Sequence, residues 1–264
     1  MELKLKDKIA FISGSTSGIG FATAKMLLAE GMQVYINGRS STGVTKAVDE
    51  LKAQVKGAKV FGIVADFKKP QEVQELTNQI PEVDVLINNV GIYNSQSFFD
   101  TSDEQWNDQF QVNFMSGVHI SQHYLQKMLN KNWGRIIFIS SECAYLVPTD
   151  MISYSATKAA MHALSRGLAQ IAKGTAVTVN VIVPGSTMSE GAKDFLAKKA
   201  KLDGVSQKEV ETSFFSSERA QSLLERFASV EEVSNAIIYL CSPLSSATNG
   251  SVLKVDGGSS GGIL

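Results

Sequence analysis

The strongest constraint on the fold is a regular alternation of short apolar segments with segments of helical periodicity. Ile9-Ala10-Phe11-Ile12 is a continuous apolar run, typical of a strand buried on both faces of a parallel sheet. The stretch 18–30 has helical periodicity and stops at Gly31, as expected of a helix C-cap. Because this alternation recurs along the chain, we predict seven strands separated by helices in one doubly wound parallel sheet.

The other predicted elements follow the same rule. The remaining strands are predicted at 34–36, 60–64, 83–87, 135–139, 177–183 and 251–255. The remaining helices are predicted at 45–55, from Pro70 onward, as one long helix over 103–130, at 152–173 and near 230–240. No Pro/Gly/Ser linker or change of composition marks a second domain, so residues 1–264 are predicted to form a single α/β domain. In such a sheet, ligands bind at the carboxyl ends of the strands.

Charge and cysteine content exclude several classes of protein. The net charge of −1 and the lack of a long basic run make nucleic acid an unexpected partner. The charged N-terminus lacks the apolar core of a signal peptide, and no stretch is apolar enough to span a bilayer. Cys143 and Cys241 form neither a disulfide framework nor a metal-ligand spacing, and the histidines form no ligand set. These features predict a reduced, cytoplasmic protein without a metal.

A glycine-rich loop follows the first strand and opens the first helix. Glycines allow a tight turn and a close approach to a pyrophosphate, while the helix N-terminus supplies free N–H groups. The alternative is an ordinary turn of small residues, but the strand-loop-helix context favours dinucleotide binding. The spacing is G-x-x-x-G-x-G, and the candidate contacts are Gly14, Ser15, Ser17, Gly18, Ile19 and Gly20.

The choice of dinucleotide is usually made at the end of the second strand. A carboxylate there binds both ribose hydroxyls and repels a 2′-phosphate. Here the chain reads Asn37-Gly38-Arg39-Ser40, without a carboxylate. Arg39 can bind a phosphate and stack on adenine, although it could also be a surface arginine. This position favours NADP(H) over NAD(H).

Two more strand ends carry candidate cofactor contacts. Asp66-Phe67 follows the third strand, where the carboxylate could accept a hydrogen bond from the adenine amino group. Asn88-Asn89-Val90-Gly91 follows the fourth, and Asn88 and Gly91 are candidates for the cleft. Asn88 has two open roles: a direct contact to the cofactor, or a bond to backbone groups between strands.

Tyr154 and Lys158 are four residues apart and therefore share one face of a predicted helix. An ammonium beside a phenol favours the phenolate, lowers the tyrosine pKa and makes a general acid/base possible. By itself this spacing also arises by chance, with Tyr154 packing in the core and Lys158 solvated.

Taken together, these motifs resemble the classical branch of the short-chain dehydrogenase/reductase family, over nearly the whole chain. The residues that carry the resemblance are Gly14, Gly18, Gly20, Asn88-Asn89-Val90-Gly91, Asn113, Ser141, Tyr154, Lys158, Pro184-Gly185 and Val255-Asp256-Gly257-Gly258. Three departures are mild: Ser13 and Ser189 stand where threonine is usual or frequent, and Val90 where alanine is usual. The resemblance implies a Rossmann fold.

It also implies a catalytic set. Tyr154 would exchange a proton with the substrate oxygen, Lys158 would hold the nicotinamide ribose and lower the tyrosine pKa, and Ser141 would orient the substrate. Ser140 is the rival of Ser141, but the family's separation of thirteen residues from the tyrosine selects Ser141. Asn113 would hold a water that links Lys158 to solvent. Further cofactor contacts are implied at Pro184, Gly185, Thr187 and Ser189.

The same resemblance assigns residues of about 186–222 to a helical lid over the substrate. The lysines of this segment are a solvated face or, alternatively, attract an acidic partner such as an acyl carrier protein. The expected function is NADP(H)-dependent interconversion of a carbonyl and a secondary alcohol of a small molecule, in a homotetramer or homodimer. The alternatives are a 3-oxoacyl-(acyl-carrier-protein) reductase-like enzyme and a non-catalytic dinucleotide-binding sensor.

Overall fold

The computed structural model describes residues 2–262; Met1 and residues 263–264, which complete the predicted domain range, lie outside the described residues. Seven strands form one sheet in the order β3-β2-β1-β4-β5-β6-β7. Every neighbouring pair of strands is parallel. The strands are β1 Ile9–Ile12, β2 Gln33–Gly38, β3 Lys59–Val64, β4 Val85–Asn88, β5 Gly134–Ile139, β6 Val177–Pro184 and β7 Val252–Val255. The predicted seven-stranded parallel sheet is therefore confirmed.

Helices cover both faces of the sheet. They are α1 Gly18–Ala29, α2 Ser41–Gln54, α3 Pro70–Gln79, α4 Asp103–Gln109, α5 Ser116–Asn130, α6 Cys143–Leu146, α7 Ile152–Ile171, α8 Glu190–Asp203, α9 Gln207–Ser216 and α10 Val230–Cys241. The apolar sides of α1, α2 and α10 pack on one face, around Ile36 and Ile87. Those of α3, α5 and α7 pack on the other, around Leu86 and Phe138. Two buried faces explain why the central strands are continuous apolar runs.

The order of the strands reverses direction at β1. The chain builds outward from β1 to β3, then crosses back so that β4 lies on the other side of β1. The loops that follow β1 and β4 therefore separate to opposite faces and leave a crevice between them at the carboxyl edge.

The predicted helix over 103–130 is not one continuous α-helix. It is divided by a π-helical turn, Phe110–Met115, between α4 and α5, and Asn113 lies within that turn. Such turns are frequent at functional sites because they change the direction of a side chain without ending the helix. The prediction of a single helix was wrong for this reason.

Two helices form the lid, in agreement with the predicted helical segment. The helices α8 and α9 pack on each other through a small separate core of Leu196, Val210, Phe215 and Phe227. Polar side chains begin both helices: Ser189 accepts a hydrogen bond from Ala192 N, and Ser206 forms a capping box with Glu209. The lid therefore has its own packing and meets the main domain along the cleft. Within residues 2–262, no helix combines the length and the apolar character that crossing a membrane requires.

Candidate active site

A cavity of about 480 Å³ lies at the carboxyl edge of the sheet, within the size range of small-molecule sites. Its walls come from the ends of β5 and β6, from α7 and from the lid. Nine of the predicted site residues line it: Ile19, Gly91, Ser141, Tyr154, Lys158, Pro184, Gly185, Thr187 and Ser189. The fold thus brings most of the predicted catalytic set together in one place.

A second cavity, of about 290 Å³, continues the site toward β2 and β3. Asn89 and Gly91 line both cavities, so the two are adjacent. The predicted residues that line the second cavity are Gly14, Ser17, Arg39, Asp66, Phe67 and Gly91. The complete site is elongated, and it runs from the end of β2 across the glycine loop to the lid.

The glycine loop has the shape that a phosphate requires. Gly14 and Gly18 have φ angles of +60° and +59°, a backbone conformation that side chains disfavour. Ser17 caps α1 without a side-chain hydrogen bond, and the first turn of this helix contains no acidic residue. The N–H groups and positive potential at this helix N-terminus are therefore available to an anion, so these residues fit a dinucleotide.

Gly14 and Gly20 are required by packing. A Cβ on Gly14 would lie 2.8 Å from Val90 Cα, and one on Gly20 would lie 2.8 Å from Ser15 Cα. The Ser13 hydroxyl, at one of the departures from the family pattern, accepts hydrogen bonds of 3.0 Å from the N–H groups of both Asn89 and Val90. It ties the loop after β1 to the loop after β4, so serine performs this role without threonine's methyl group.

Four predicted cofactor contacts line neither cavity: Ser15, Gly18, Gly20 and Asn88. The Ser15 hydroxyl is fully buried; it donates to Ile12 O and accepts from Asn37 N. Asn88, the last residue of β4, is buried, and its amide donates to Ser121 Oγ of α5 at 3.4 Å. Asn89 lines the cleft instead, where its amide donates to the carbonyl oxygens of Ser13 and Gly14. Of the two adjacent asparagines, it is therefore Asn89 that lines the cleft, and a contact of either with a cofactor stays a prediction.

Ser140 and Ser141 both line the cleft, but their hydroxyls have different partners. The Ser140 hydroxyl donates to Lys158 O at 3.0 Å and lies 2.9 Å from His162 Nε2. Ser141 lines the cleft, where its hydroxyl accepts from Cys143 N. The Ser140 hydroxyl is thus bonded to residues of α7, whereas Ser141 lies beside Tyr154.

Tyr154 and Lys158 meet at the floor of the cleft. The Lys158 ammonium lies 5.6 Å from the centre of the Tyr154 ring and donates to Ile139 O at 2.9 Å. Burial raises the pKa of the Tyr154 phenol, and hydrogen bonding to Ser141 acts in the opposite direction. Burial lowers the pKa of Lys158 to about 8. Burial is the largest influence on the pKa of Tyr154, and the lowering by Lys158 that the sequence suggested stays a prediction.

Asn113 supports the site from behind. Its amide accepts from Ile92 N at 2.7 Å and donates to Ile92 O and Thr157 Oγ1 at 2.9 and 3.0 Å. It therefore ties the loop after β4 to α7. The side chain itself does not line either cavity, and the water-holding role that the resemblance implies stays a prediction.

At the other end of the site, Arg39 is exposed and lines the second cavity. Asp66 also lines it, and its carboxylate accepts a hydrogen bond of 3.0 Å from Lys68 N. The residues that follow β2 directly, Arg39 and Ser40, include no carboxylate. Arg39 is a group at this end of the site that can bind a phosphate.

Several cleft residues were not predicted from the sequence. Tyr93 packs edge-on against Tyr154, with 5.9 Å between ring centres, and Thr16 lines the second cavity. Glu142 and Arg219 form an ion pair of 2.7 Å that joins the end of β5 to the lid. In the sequence, the only indication that Glu142 could belong to the site was its position directly after Ser141. Within residues 2–262, no group of three or more acidic, histidine or cysteine side chains could hold a metal ion.

Comparison with known proteins agrees with this geometry. Residues 8–200 match the family model described as short chain dehydrogenase. A Bacillus subtilis (strain 168) protein described as uncharacterized oxidoreductase YvaG is 42% identical over 258 residues, which cover 98% of each chain. The 3-oxoacyl-(acyl-carrier-protein) reductase of Aquifex aeolicus (strain VF5) is 32% identical over 98% of this chain and 99% of its own.

A solved structure is also similar. L-sorbose reductase from Gluconobacter frateurii, complexed with NADPH and L-sorbose, superposes with a TM-score of 0.92 at 27% identity, and covers 100% of both chains. The family match covers most of the chain, and the single seven-stranded parallel sheet is the one that the sequence predicted. The chain therefore belongs to the classical short-chain dehydrogenase/reductase family and is an oxidoreductase of that family.

Proposed function

We propose that the protein is an NADP(H)-dependent reductase that converts a small-molecule carbonyl to a secondary alcohol, with Tyr154 as the general acid. The observation that carries the proposal is the convergence of Ser141, Tyr154 and Lys158 on one cavity that adjoins the glycine loop. A nicotinamide cofactor, when bound, supplies the hydride for the substrate carbon. The protein supplies binding, orientation and the proton.

Tyr154 and Ser141 act on the substrate oxygen. The phenol donates its proton to the oxygen, and the Ser141 hydroxyl donates a hydrogen bond to the same atom and holds it in place. Burial keeps the pKa of Tyr154 raised, so the phenol is in its donor form at neutral pH. Lys158 binds the nicotinamide ribose and places a positive charge below the phenol, where it stabilises the phenolate left after proton transfer.

The preference for NADP(H) rests on Arg39. Arg39 lines the end of the site where the glycine loop and β2 meet, and the residues that follow β2 directly include no carboxylate. The similar L-sorbose reductase was solved with NADPH, and a gluconate 5-dehydrogenase-like protein that is 27% identical was solved with NADP. NADPH is the usual donor for reductions, which supports reduction as the working direction.

The direct test is NADPH oxidation, followed by absorbance, with a panel of ketones and aldehydes. Wild type should turn over at least one of them, and Tyr154→Phe should lose about 100-fold or more in kcat, while NADPH binding is retained. A wild type that binds NADPH but turns over no carbonyl would instead favour the dinucleotide-binding sensor. A Tyr154→Phe variant as fast as wild type would refute the role of Tyr154.

A second candidate is reduction of a 3-oxoacyl group on an acyl carrier protein. It is favoured by the Aquifex aeolicus relative and by the exposed lysines Lys193, Lys198 and Lys201 on α8, which could meet an acidic carrier. The two candidates are distinguished by comparing kcat/KM for an acetoacetyl group attached to acyl carrier protein with kcat/KM for the same group on a minimal thiol. A carrier-dependent enzyme should have a higher kcat/KM for the protein-bound substrate, and most of this difference should be lost when these three lysines are changed to glutamine.

We further propose that the protein works as a cytoplasmic homotetramer or homodimer. Tyr239, Leu244 and Val252 are apolar or aromatic side chains that stay well exposed around α10 and β7. Their neighbours Ile237, Ile238 and Leu240 are buried in the protomer itself, so only the exposed side chains could serve a contact. Light scattering coupled to size-exclusion chromatography distinguishes a monomer from either oligomer.

A further inference from the structure

One side of the lid helix α8 lines the larger cavity with apolar residues. Gly191, Ala192 and Phe195 all line it, and at positions i, i+1 and i+4 they share one side of the helix. Two small residues are thus followed, one turn further along, by an aromatic ring. Phe195 keeps 39% of its surface exposed. On this side the cavity is therefore bounded by an apolar side chain that the protein leaves partly uncovered.

Tyr93 connects this side of α8 to Tyr154. Its ring packs edge-on against that of Tyr154, with 5.9 Å between ring centres. Its hydroxyl lies 3.7 Å from the position that a Cβ on Gly191 would occupy, so the side chain reaches the first turn of α8. Tyr93 lines the cavity and is well exposed. Aromatic surface therefore runs from Tyr154 to the lid.

A third ring of this wall is held in place by the lid. Phe214 lines the same cavity and stacks on Phe227, with 5.3 Å between ring centres. The Arg219 guanidinium lies 5.4 Å from the centre of the Phe214 ring. Phe195 meets Phe214 edge-on at 6.1 Å. Phe195 and Phe214 therefore form one continuous aromatic surface, in which Phe214 is anchored by its neighbours.

Packing of the lid on itself does not account for Phe195. The lid core already contains two phenylalanines, Phe215 and Phe227, and both are buried. Phe195 stays exposed beside the cavity instead. Apolar surface gains free energy when it is removed from water, and the gain grows with the area that a partner covers. Within a substrate cavity, the substrate is the partner that can cover it.

Charged side chains also line this cavity, but the protein or water already satisfies them. Glu142 and Arg219 neutralise each other in their ion pair. Asp150 accepts a hydrogen bond from the Ser95 hydroxyl, and both Asp150 and Glu218 are exposed to solvent. These groups need no ligand, whereas the aromatic surface is stabilised only by an apolar one.

We propose that Phe195 and Phe214, together with Tyr93, bind the larger substituent of the substrate, and that the enzyme is selective for ketones in which this substituent is an alkyl chain or an aryl group. This inference rests on the proposed function, since it concerns the substrate of the same site. With the carbonyl oxygen at Tyr154 and Ser141, the substituent extends along Tyr93 to the lid.

The test compares butanone, 2-hexanone and 2-octanone in the NADPH oxidation assay, with a ketohexose as the polar counterpart of 2-hexanone. Wild type should gain about two- to fourfold in kcat/KM for each methylene group that is added, and should prefer 2-hexanone to the ketohexose. Phe195→Ala should lower kcat/KM for 2-octanone about tenfold or more, mainly through KM, and that for butanone by less than about twofold.

Two further variants separate substrate binding from folding. Phe195→Leu keeps a large apolar side chain at this position and should restore most of the loss on 2-octanone. Phe99→Ala makes the same truncation at an exposed phenylalanine that lines neither cavity, and should leave all the ketones unaffected. NADPH binding, followed by its fluorescence, checks that each variant is folded.

Three outcomes would overturn the inference. A wild type whose kcat/KM does not rise with chain length, or that prefers the ketohexose, refutes it without any variant and leaves the proposed function standing. Equal losses on butanone and 2-octanone in Phe195→Ala would show that Phe195 supports the lid and not the substrate. A wild type that reduces no carbonyl refutes the proposed function together with this inference.

Discussion

The ammonium group of Lys158 donates a hydrogen bond of 2.9 Å to the carbonyl oxygen of Ile139, the last residue of β5. This bond joins α7 to the strand whose end carries Ser141, and it holds the lysine under the Tyr154 ring. The same position removes the ammonium from water, since Lys158 is only 3% exposed. One contact therefore sets both the geometry and the electrostatics of the site.

The first prediction concerns stability and pH. Burial lowers the folded-state pKa of Lys158 to about 8, below its value of about 10.4 in an unfolded chain. Between these values the unfolded state binds more protons, so the contribution of Lys158 to the free energy of unfolding rises with pH. The contribution is on the order of 3 kcal/mol across this window. Urea unfolding at several pH values between about 8 and about 10 measures it.

The comparison is made against Lys158→Met. Burial raises the pKa of the Cys143 and Cys241 thiols, and these groups act in the opposite direction over part of the same window. Because both proteins contain the thiols, the difference between them isolates the lysine. The stability advantage of wild type should grow with pH. A constant or shrinking difference would show that the ammonium is not desolvated.

The second prediction concerns the direction of the reaction. Alcohol oxidation needs the Tyr154 phenolate, whereas carbonyl reduction needs the phenol. Since burial raises the pKa of Tyr154, the phenolate is scarce at neutral pH and becomes more abundant as pH rises. The kcat/KM for alcohol oxidation should therefore rise by up to about tenfold per pH unit above neutrality, and that for reduction should not rise. Steady-state kinetics in both directions, from neutral to alkaline pH, measure this, and an oxidation rate that is flat or falls would contradict it.

The third prediction concerns Asn113. Asn113→Ala removes three hydrogen bonds that tie Ile92 and Thr157 together behind the cleft. It should lower the free energy of unfolding by about 2 kcal/mol and reduce kcat, because the loop after β4 and α7 are no longer held in register. Chemical unfolding and NADPH kinetics measure the two effects. Asn130→Ala, at the exposed end of α5, is the matched control and should change neither by much. If the Asn113→Ala protein is as stable as this control, the hydrogen bonds of Asn113 do not hold the loop after β4 and α7 together.

The fourth prediction concerns the cofactor. Arg39→Ala should weaken NADPH binding by about tenfold or more and leave NADH binding nearly unchanged, since a phosphate-specific bond is lost. Lys52→Ala removes an exposed positive charge from the end of α2 and serves as the control. Fluorescence titration of each protein with NADPH and with NADH gives the ratio of the two dissociation constants. Equal losses for the two cofactors would contradict the proposed preference for NADP(H).

The core strands could be predicted well from the sequence because their signal is local. Parallel strands buried on both faces are continuous apolar runs, and β1 was predicted at the bounds that the structure shows. The glycine loop and the Tyr154–Lys158 pair are also local patterns. Their separations, matched to a family, selected Ser141, which lines the cleft together with Tyr154.

The π-helical turn around Asn113 was not predicted, because its cause lies in contacts with other elements. Asn113 is bound by Ile92 and Thr157, which are distant in the chain, and these contacts are not visible in helical periodicity. The composition of 103–130 by itself is compatible with one regular helix.

The sequence by itself determined the succession of strands and helices along the chain, the glycine loop and the family. Each of these depends on residues close together in the chain or on their characteristic separations. Only the tertiary structure decided which of two adjacent asparagines, Asn88 or Asn89, faces the cleft, since strand register sets the direction of a side chain. It also decided the pairing of Glu142 with Arg219 across 77 residues of chain. Such a pair has no local pattern, because only the packing of the lid on the end of β5 brings the two charges together.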